Sequence, residues 1–144
     1  MVDYLKIFDS LPIPCLLLKP GGGNFIIANV NPAFCRLTGT TNKKATDKTI
    51  LEIFPQNPQQ TDDSWSIIFS TLNKVISSGK TQTLESLRYD LMGTTDNDFE
   101  EKYWRVENIP VFENGAGVKY ILQIINDVTN EVFRNKRANL VQEE

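Results

Sequence analysis

A single strongly amphipathic helix, Asp62 to Gly79, sets the first constraint on how this chain can fold. Trp65, Ile68, Phe69, Leu72, Val75 and Ile76 recur at i, i+3, i+4 and i+7 spacing and form one apolar face. That face must be buried against a second layer. Asp62, Asp63 or Ser64 can cap the helix and place negative charge on its N-terminal dipole, and Ser77-Ser78-Gly79 closes it.

The segments on either side supply the second layer. Ile13 to Lys19 and Phe25 to Val30 read as two strands around the turn Pro20-Gly21-Gly22-Gly23-Asn24. Thr81 to Leu91, Lys102 to Phe112 and Val118 to Asn126 read as three more. Met92 to Glu101 is expected to be a polar loop, and Glu113 to Gly117 a hairpin turn. A short amphipathic helix is predicted over Val2 to Leu11, carrying Tyr4 or Leu5, Phe8 and Leu11, and Pro12 and Pro14 stop it. Asn31-Pro32 starts another helix, since asparagine caps free N–H groups and proline suits the first helical position; Gly39 ends it. Thr40 to Pro55 offers only short helical turns anchored by Ile50, Leu51, Ile53 and Phe54, and Pro55 to Asp63 is a loop. Asp127-Val128-Thr129 leads into a final helix. The order predicts an α+β fold, one antiparallel sheet with the long helix on one face. At 144 residues the chain fits one domain able to bury its core without a disulfide or metal. Residues 1–127 are expected to form that domain, with the helix over 2–11 included, and 128–144 a C-terminal linker helix.

The chain has no histidine, which removes Ser-His-Asp and Cys-His dyads, the commonest zinc ligand and histidine-ligated haem. No CxxC pair exists; Cys15 sits in a strand-like run and Cys35 in a helix-like one, so two buried reduced thiols stand against a redox pair. Enzymatic function is not expected from such a sequence, which lacks a phosphate loop and a nucleophile-base pair as well. A net charge of -3 argues against nucleic acid. The cluster Arg134, Lys136 and Arg137, interrupted by Asn135 and followed by Glu143 and Glu144, reads as a solvated helix face. The longest apolar runs, Cys15 to Leu18 and Phe25 to Ala28, fall far short of the ~20 residues of a membrane span. A soluble, cytoplasmic chain without membrane contact is the expectation.

Three phrases, in order, resemble the PAS family: Ile27-Ala-Asn-Val-Asn-Pro-Ala-Phe-Cys-Arg-Leu-Thr-Gly39, Tyr103-Trp-Arg-Val-Glu-Asn-Ile-Pro110 with its glycine turn, and Asp127-Val-Thr129. The resemblance covers Leu11 to Thr129. It implies a five-stranded antiparallel sheet in the order 2-1-5-4-3, a pocket between sheet and helices, and a sensory module placed ahead of an output domain, such as the histidine kinase of a bacterial two-component sensor. The last phrase is similar to the family's exit motif, where the sheet hands over to an output helix. The light-oxygen-voltage subfamily's reactive-cysteine phrase, Gly-x-Asn-Cys-Arg-Phe-Leu-Gln, has no match, so covalent flavin photochemistry is disfavoured. A flavin bound without photochemistry and cysteine-ligated haem stay open, and the cofactor is unknown.

Strand alternation, aligned with the family, points Trp104, Val106 and Asn108 into the pocket, together with Ile121, Gln123 and Ile125. Phe34, Leu37, Ile68, Phe69 and Leu72 would close it from the helical side. Asn108 and Gln123 either fix a small ligand or satisfy each other. A tryptophan buries on the order of 200 Å², so Trp104 in the pocket favours a small or empty cavity over one for a large cofactor. The outer sheet face carries Tyr103, Arg105, Glu107, Ile109, Leu122 and Ile124, which suits partial cover by the N-terminal helix and a dimer partner. In the final helix Val128, Val132, Phe133, Leu140 and Val141 fit either a capped amphipathic end or the start of a signalling coiled coil. Asp127 and Thr129 are the expected joint, since either side chain can cap helix N–H groups. The sensor reading stands beside a ligand-free dimerisation or protein-interaction module, and a homodimer is expected in both.

Overall fold

The computed structural model describes residues 1–93 and 98–143, with the side chains of 141–143 outside that description. Five strands form one antiparallel sheet: β1 (Cys15–Gly21), β2 (Asn24–Val30), β3 (Gln82–Arg88), β6 (Tyr103–Glu113) and β7 (Gly117–Asp127), in the order β2-β1-β7-β6-β3. Counted along the chain, this is the expected order 2-1-5-4-3. The first hairpin turns at Gly22 and Gly23, whose φ of 60° and 78° few side chains tolerate.

Helices cover one face. Asn31 caps α2 (Pro32–Thr38), accepting from the Phe34 N–H at 2.9 Å, and Gly39 closes it in the left-handed region at φ 79°. The short α3 (Asn42–Ala45) and α4 (Ile50–Ile53) follow, the latter with a reciprocal capping box between Thr49 and Glu52. These helices pack over β1 and β2, and α5 (Ser64–Ser78), capped by Asp63, lies over β3, β6 and β7. The core between the layers includes Leu16, Leu18, Ile27, Leu72, Val75 and Ile121, all nearly inaccessible to solvent.

Two expectations need correction. The segment 92–101 is not simply a loop: β4 (Leu91–Met92) pairs with β5 (Phe99–Glu100) in a two-stranded ribbon, the expected loop tip at 94–97 lying outside the described residues. Apolar Leu91 and Phe99 stand half-buried at its base. The N-terminal helix α1 (Tyr4–Ser10) is anchored beside α2, because Asn31 Nδ2 reaches the Phe8 and Leu11 carbonyl oxygens at 3.5 and 3.4 Å. At the outer sheet face Tyr103 is covered by the C-terminal helix α6 (Thr129–Glu143) instead. Its Phe133 ring meets Tyr103 edge-on at 6.0 Å and Lys136 Nζ reaches the phenol oxygen at 3.0 Å. Arg134 and Arg137 are exposed on α6, whereas Val141 and Glu144 fall outside the described side chains.

Candidate functional site: a small apolar cavity and its joint to the last helix

Alternation along β6 and β7 builds the inner wall. Trp104, Val106 and Asn108 are buried on one strand and Ile121, Gln123 and Ile125 on its neighbour, while the residues between them are half-exposed. Val106 lies opposite Ile125 and Asn108 opposite Gln123. Between this wall and the helices is a cavity of about 80 Å³.

Of the side chains expected around it, Phe34, Ile68, Trp104, Val106, Gln123 and Ile125 line it. Leu37, Phe69, Leu72, Asn108 and Ile121 do not, Ile121 being fully buried in the core. Leu72 is buried in the interior of the α5 interface, and Phe69 turns to an edge-on contact with Phe25 at 5.7 Å. Leu37 packs half-buried against the core. Asn108 sits beyond Gln123, donating from Nδ2 to the Gln82 carbonyl oxygen at 3.1 Å. The two amides bond each other as well, Gln123 Nε2 donating to Asn108 Oδ1 at 2.9 Å.

Sequence reasoning missed the rest of the lining: Leu16 from β1, Thr38 from α2, Ile50 and Phe54 around α4, and Leu87, Tyr89 and Leu91. Ile50 and Phe54 had already stood out as apolar anchors. Leu87 had no such signal, because an irregularity between Leu84 and Leu87 breaks the period of β3 and brings Leu87 opposite Trp104. Tyr89 is buried with its hydroxyl donating to the Phe54 carbonyl oxygen, and burial pushes its pKa up to about 12. Trp104 Nε1 donates to the Tyr89 carbonyl oxygen at 2.8 Å, which satisfies its one polar atom inside the core.

Behind this wall lies a buried carboxylate. Asp90 is 2% exposed and holds Arg88 through both oxygens at 3.1 Å. Asn57 Nδ2 donates to it at 2.9 Å and the Lys102 backbone N–H at 3.3 Å. Burial by itself raises its pKa, but the hydrogen bonds from Arg88, Asn57 and Lys102 and the Arg88 charge outweigh burial and hold it below the usual carboxylate range. Its contribution is therefore complete above the unfolded-state value of about 3.9 and is lost as pH falls through the lower folded-state value. Asp90→Asn is expected to cost about 2 kcal/mol at neutral pH and to flatten the loss of stability on acidification below about pH 4. Urea denaturation across pH checks this; an unchanged acid limb would contradict it.

The joint to α6 is built on the residue next to Trp104. The Val128 N–H donates to the Tyr103 carbonyl oxygen at 2.9 Å, and the Tyr103 N–H donates to Thr129 Oγ1 at 3.0 Å. Asp127 Oδ1 accepts from the Thr129 N–H at 2.9 Å and from its hydroxyl. Lys102 Nζ approaches Asp127 Oδ2 at 3.4 Å. Asp127 thus caps the helix start, whereas the Thr129 oxygen serves β6, a role the sequence did not suggest. The Asp127 carboxyl is pushed up by burial, but hydrogen bonds from Thr129 and the nearby Lys102 lower it overall. The thiols lie apart from the cavity lining: Cys15 Sγ donates to the Ile13 carbonyl oxygen at 3.2 Å, and burial raises the pKa of both Cys15 and Cys35.

A five-stranded sheet in this order, roofed by short helices and one long one over a cavity, with an exit helix after the last strand, is the architecture of a sensory input domain. Residues 15–130 match the PAS domain family, and the chain belongs to it. No curated protein matches the chain. Among solved structures it resembles an RNA-binding light-oxygen-voltage receptor, at TM-score 0.72 and 17% identity, covering 97% of this chain and 36% of that one. The chain thus spans about a third of that receptor. It also resembles the PAS domain of a protein from Colwellia psychrerythraea, at TM-score 0.65 and 15% identity over 88% of this chain and 95% of that one. The PAS domain of nitrogen regulation protein NR(II) from Vibrio parahaemolyticus follows at TM-score 0.63 and 13% identity, covering 88% of this chain and 99% of that one. At these identities the likeness speaks for the fold. Among the described residues no helix is long and apolar enough to cross a membrane.

Proposed function

We propose that this chain is the non-catalytic input module of a longer cytoplasmic signalling protein, regulating a C-terminal output domain such as a histidine kinase in response to a small molecule in its cavity. The observation that carries this reading is continuity: Trp104 lines the cavity, and the backbone C=O and N–H of the adjacent Tyr103 hold the Val128 N–H and the Thr129 hydroxyl oxygen at the α6 start. A ligand that moves Trp104 displaces the helix start within one residue. Phe34, Ile68, Val106, Gln123 and Ile125 are the other contact residues of this reading, and Asp127 and Thr129 its coupling residues. In a homodimer, re-aiming two α6 helices changes the relation of two output domains. The domain at 1–127 senses and the helix at 128–144 transmits.

Flavin photochemistry is outside this reading. A cavity of about 80 Å³ is well below the ~300–1,000 Å³ of pockets for drug-sized ligands. Neither cysteine lines it. Nucleic acid is outside it too, given the net charge of -3.

The test is the double substitution of Asp127→Ala and Thr129→Ala. Amide exchange at the start of α6 should rise about tenfold, the loss of one cap and one tertiary hydrogen bond, while the sheet amides keep their protection. In the protein carrying its output domain, output should no longer follow the signal; unchanged regulation would sink the proposal.

A second reading has its own support. Tyr4, Leu5 and Ile7 on α1 are 76%, 58% and 51% exposed, an apolar surface suited to a ligand-free dimerisation or protein-interaction module. Under that reading α1 amides are protected in a dimer and the cavity is indifferent to small molecules.

A further inference from the structure

Three of the donors at the cavity are already committed within the protein. Thr38 lines the cavity, but its hydroxyl donates to the Phe34 carbonyl oxygen at 2.8 Å. The Tyr89 hydroxyl is committed to the Phe54 carbonyl oxygen, and Trp104 Nε1 to that of Tyr89 at 2.8 Å. Burial keeps the Tyr89 phenol protonated across the physiological range, so its donor stays where it is.

The orientation of the amide pair follows from chemistry. The Gln82 backbone carbonyl can only accept, so Asn108 must turn its NH₂ to it, at 3.1 Å. Asn108 Oδ1 is then left facing Gln123, which must answer with its own NH₂, at 2.9 Å. Gln123 Oε1 therefore cannot be exchanged for a donor. Among the described residues nothing donates to it, yet no fully enclosed side-chain nitrogen or oxygen lacks a partner. Oε1 thus meets accessible surface, and the surface Gln123 lines is that of the cavity. No Asp, Glu, Lys or Arg side chain belongs to the lining, so an ion would lose its hydration with no counter-charge.

We propose that the cavity takes a small neutral hydrogen-bond donor, an alcohol of about three to four heavy atoms, whose hydroxyl donates to Gln123 Oε1; the size is scaled from benzene in a cavity of about 150 Å³. This rests on the reading of the cavity as a ligand pocket. Ketones and ethers of equal size bind more weakly, because they cannot donate to Gln123 Oε1, and anions would be stripped of hydration with no counter-charge.

The experiment is methyl-resolved NMR of the intact chain, following Ile68, Val106 and Ile125, with three probes. Xenon reports an open apolar cavity. Propan-2-ol and acetone have the same heavy-atom skeleton and differ in the donor. Xenon and propan-2-ol should shift these methyls, the alcohol saturably and about tenfold tighter than acetone. In Gln123→Met xenon should still bind, and the preference for alcohol over acetone should fall to about unity. No response to xenon in the parent chain overturns the pocket reading and this inference together. A response to xenon with acetone binding as tightly as propan-2-ol, or with the preference surviving in Gln123→Met, overturns the inference and leaves the pocket standing.

Discussion

Trp104→Ala should cost about 3–5 kcal/mol, the range for removing a buried large aromatic side chain, and lower Tm by about 10 °C or more. Three effects act together. The indole is only 5% exposed, so nearly all its apolar surface returns to water in the unfolded chain. Its Nε1 satisfies the Tyr89 carbonyl oxygen, which loses that partner. The space it vacates joins a cavity already present, so the walls have less reason to collapse onto it. The variant should also bind benzene, which is too large for the parent cavity, and regain part of the lost stability. Urea denaturation with and without benzene reads both effects. A loss below about 1 kcal/mol would mean that Trp104 does not bear on the core as described.

Asn31→Ala should cost about 3–4 kcal/mol, although the residue adds no apolar side chain to the core. Its side chain is wholly buried and joins three segments. Oδ1 accepts from the Phe34 N–H at 2.9 Å, capping α2, and from the Cys15 N–H at 3.0 Å, the first residue of β1. Nδ2 donates to the Ile13 carbonyl oxygen at 2.9 Å and reaches toward Leu11 and Phe8. Alanine leaves two N–H donors and a carbonyl oxygen without partners, each worth about 1–3 kcal/mol when water cannot replace the lost bond. The loss should be visible locally as well. Helix α1 has no buried side chain, so without Asn31 it should detach, and limited proteolysis should cut within residues 1–14 before the core unfolds. Survival of that segment at the parental rate would show that something else anchors it.

Asn31 illustrates how far the sequence could be read. Asn-Pro before an apolar helix is a local signal, since cap and first-turn proline act on backbone groups three residues away, and the cap is where it was expected. The same side chain's grip on Cys15 and Ile13, 16 and 18 residues distant, left no trace in spacing. That Trp104 and Val106 share one face of β6, and Gln123 and Ile125 one face of β7, followed from period-2 alternation, which a regular strand enforces by geometry; the family resemblance supplied which face points inward. The places of Leu87 and Tyr89 did not follow, because the β3 irregularity shifts the period and nothing in Thr81 to Leu91 announces where. Leu72 and Phe69 were rightly given to the apolar stripe of α5. Which part of that stripe meets open space and which meets packed side chains depends on the sheet beneath it.

The long helix that first constrained the fold had to be roofing something, and helical period, caps and breakers determined that much in the sequence alone. They determined the element order, the α+β class and the two faces of β6 and β7, because each rests on interactions between residues close in the chain. Only the tertiary structure decided the volume left between the layers, the Asp90 knot, the anchoring of α1 beside α2, and the Thr129 oxygen turned back onto Tyr103. Each of these rests on pairs many residues apart, whose meeting is fixed by packing and by the need to satisfy every buried polar atom. Local pattern carries no record of that requirement.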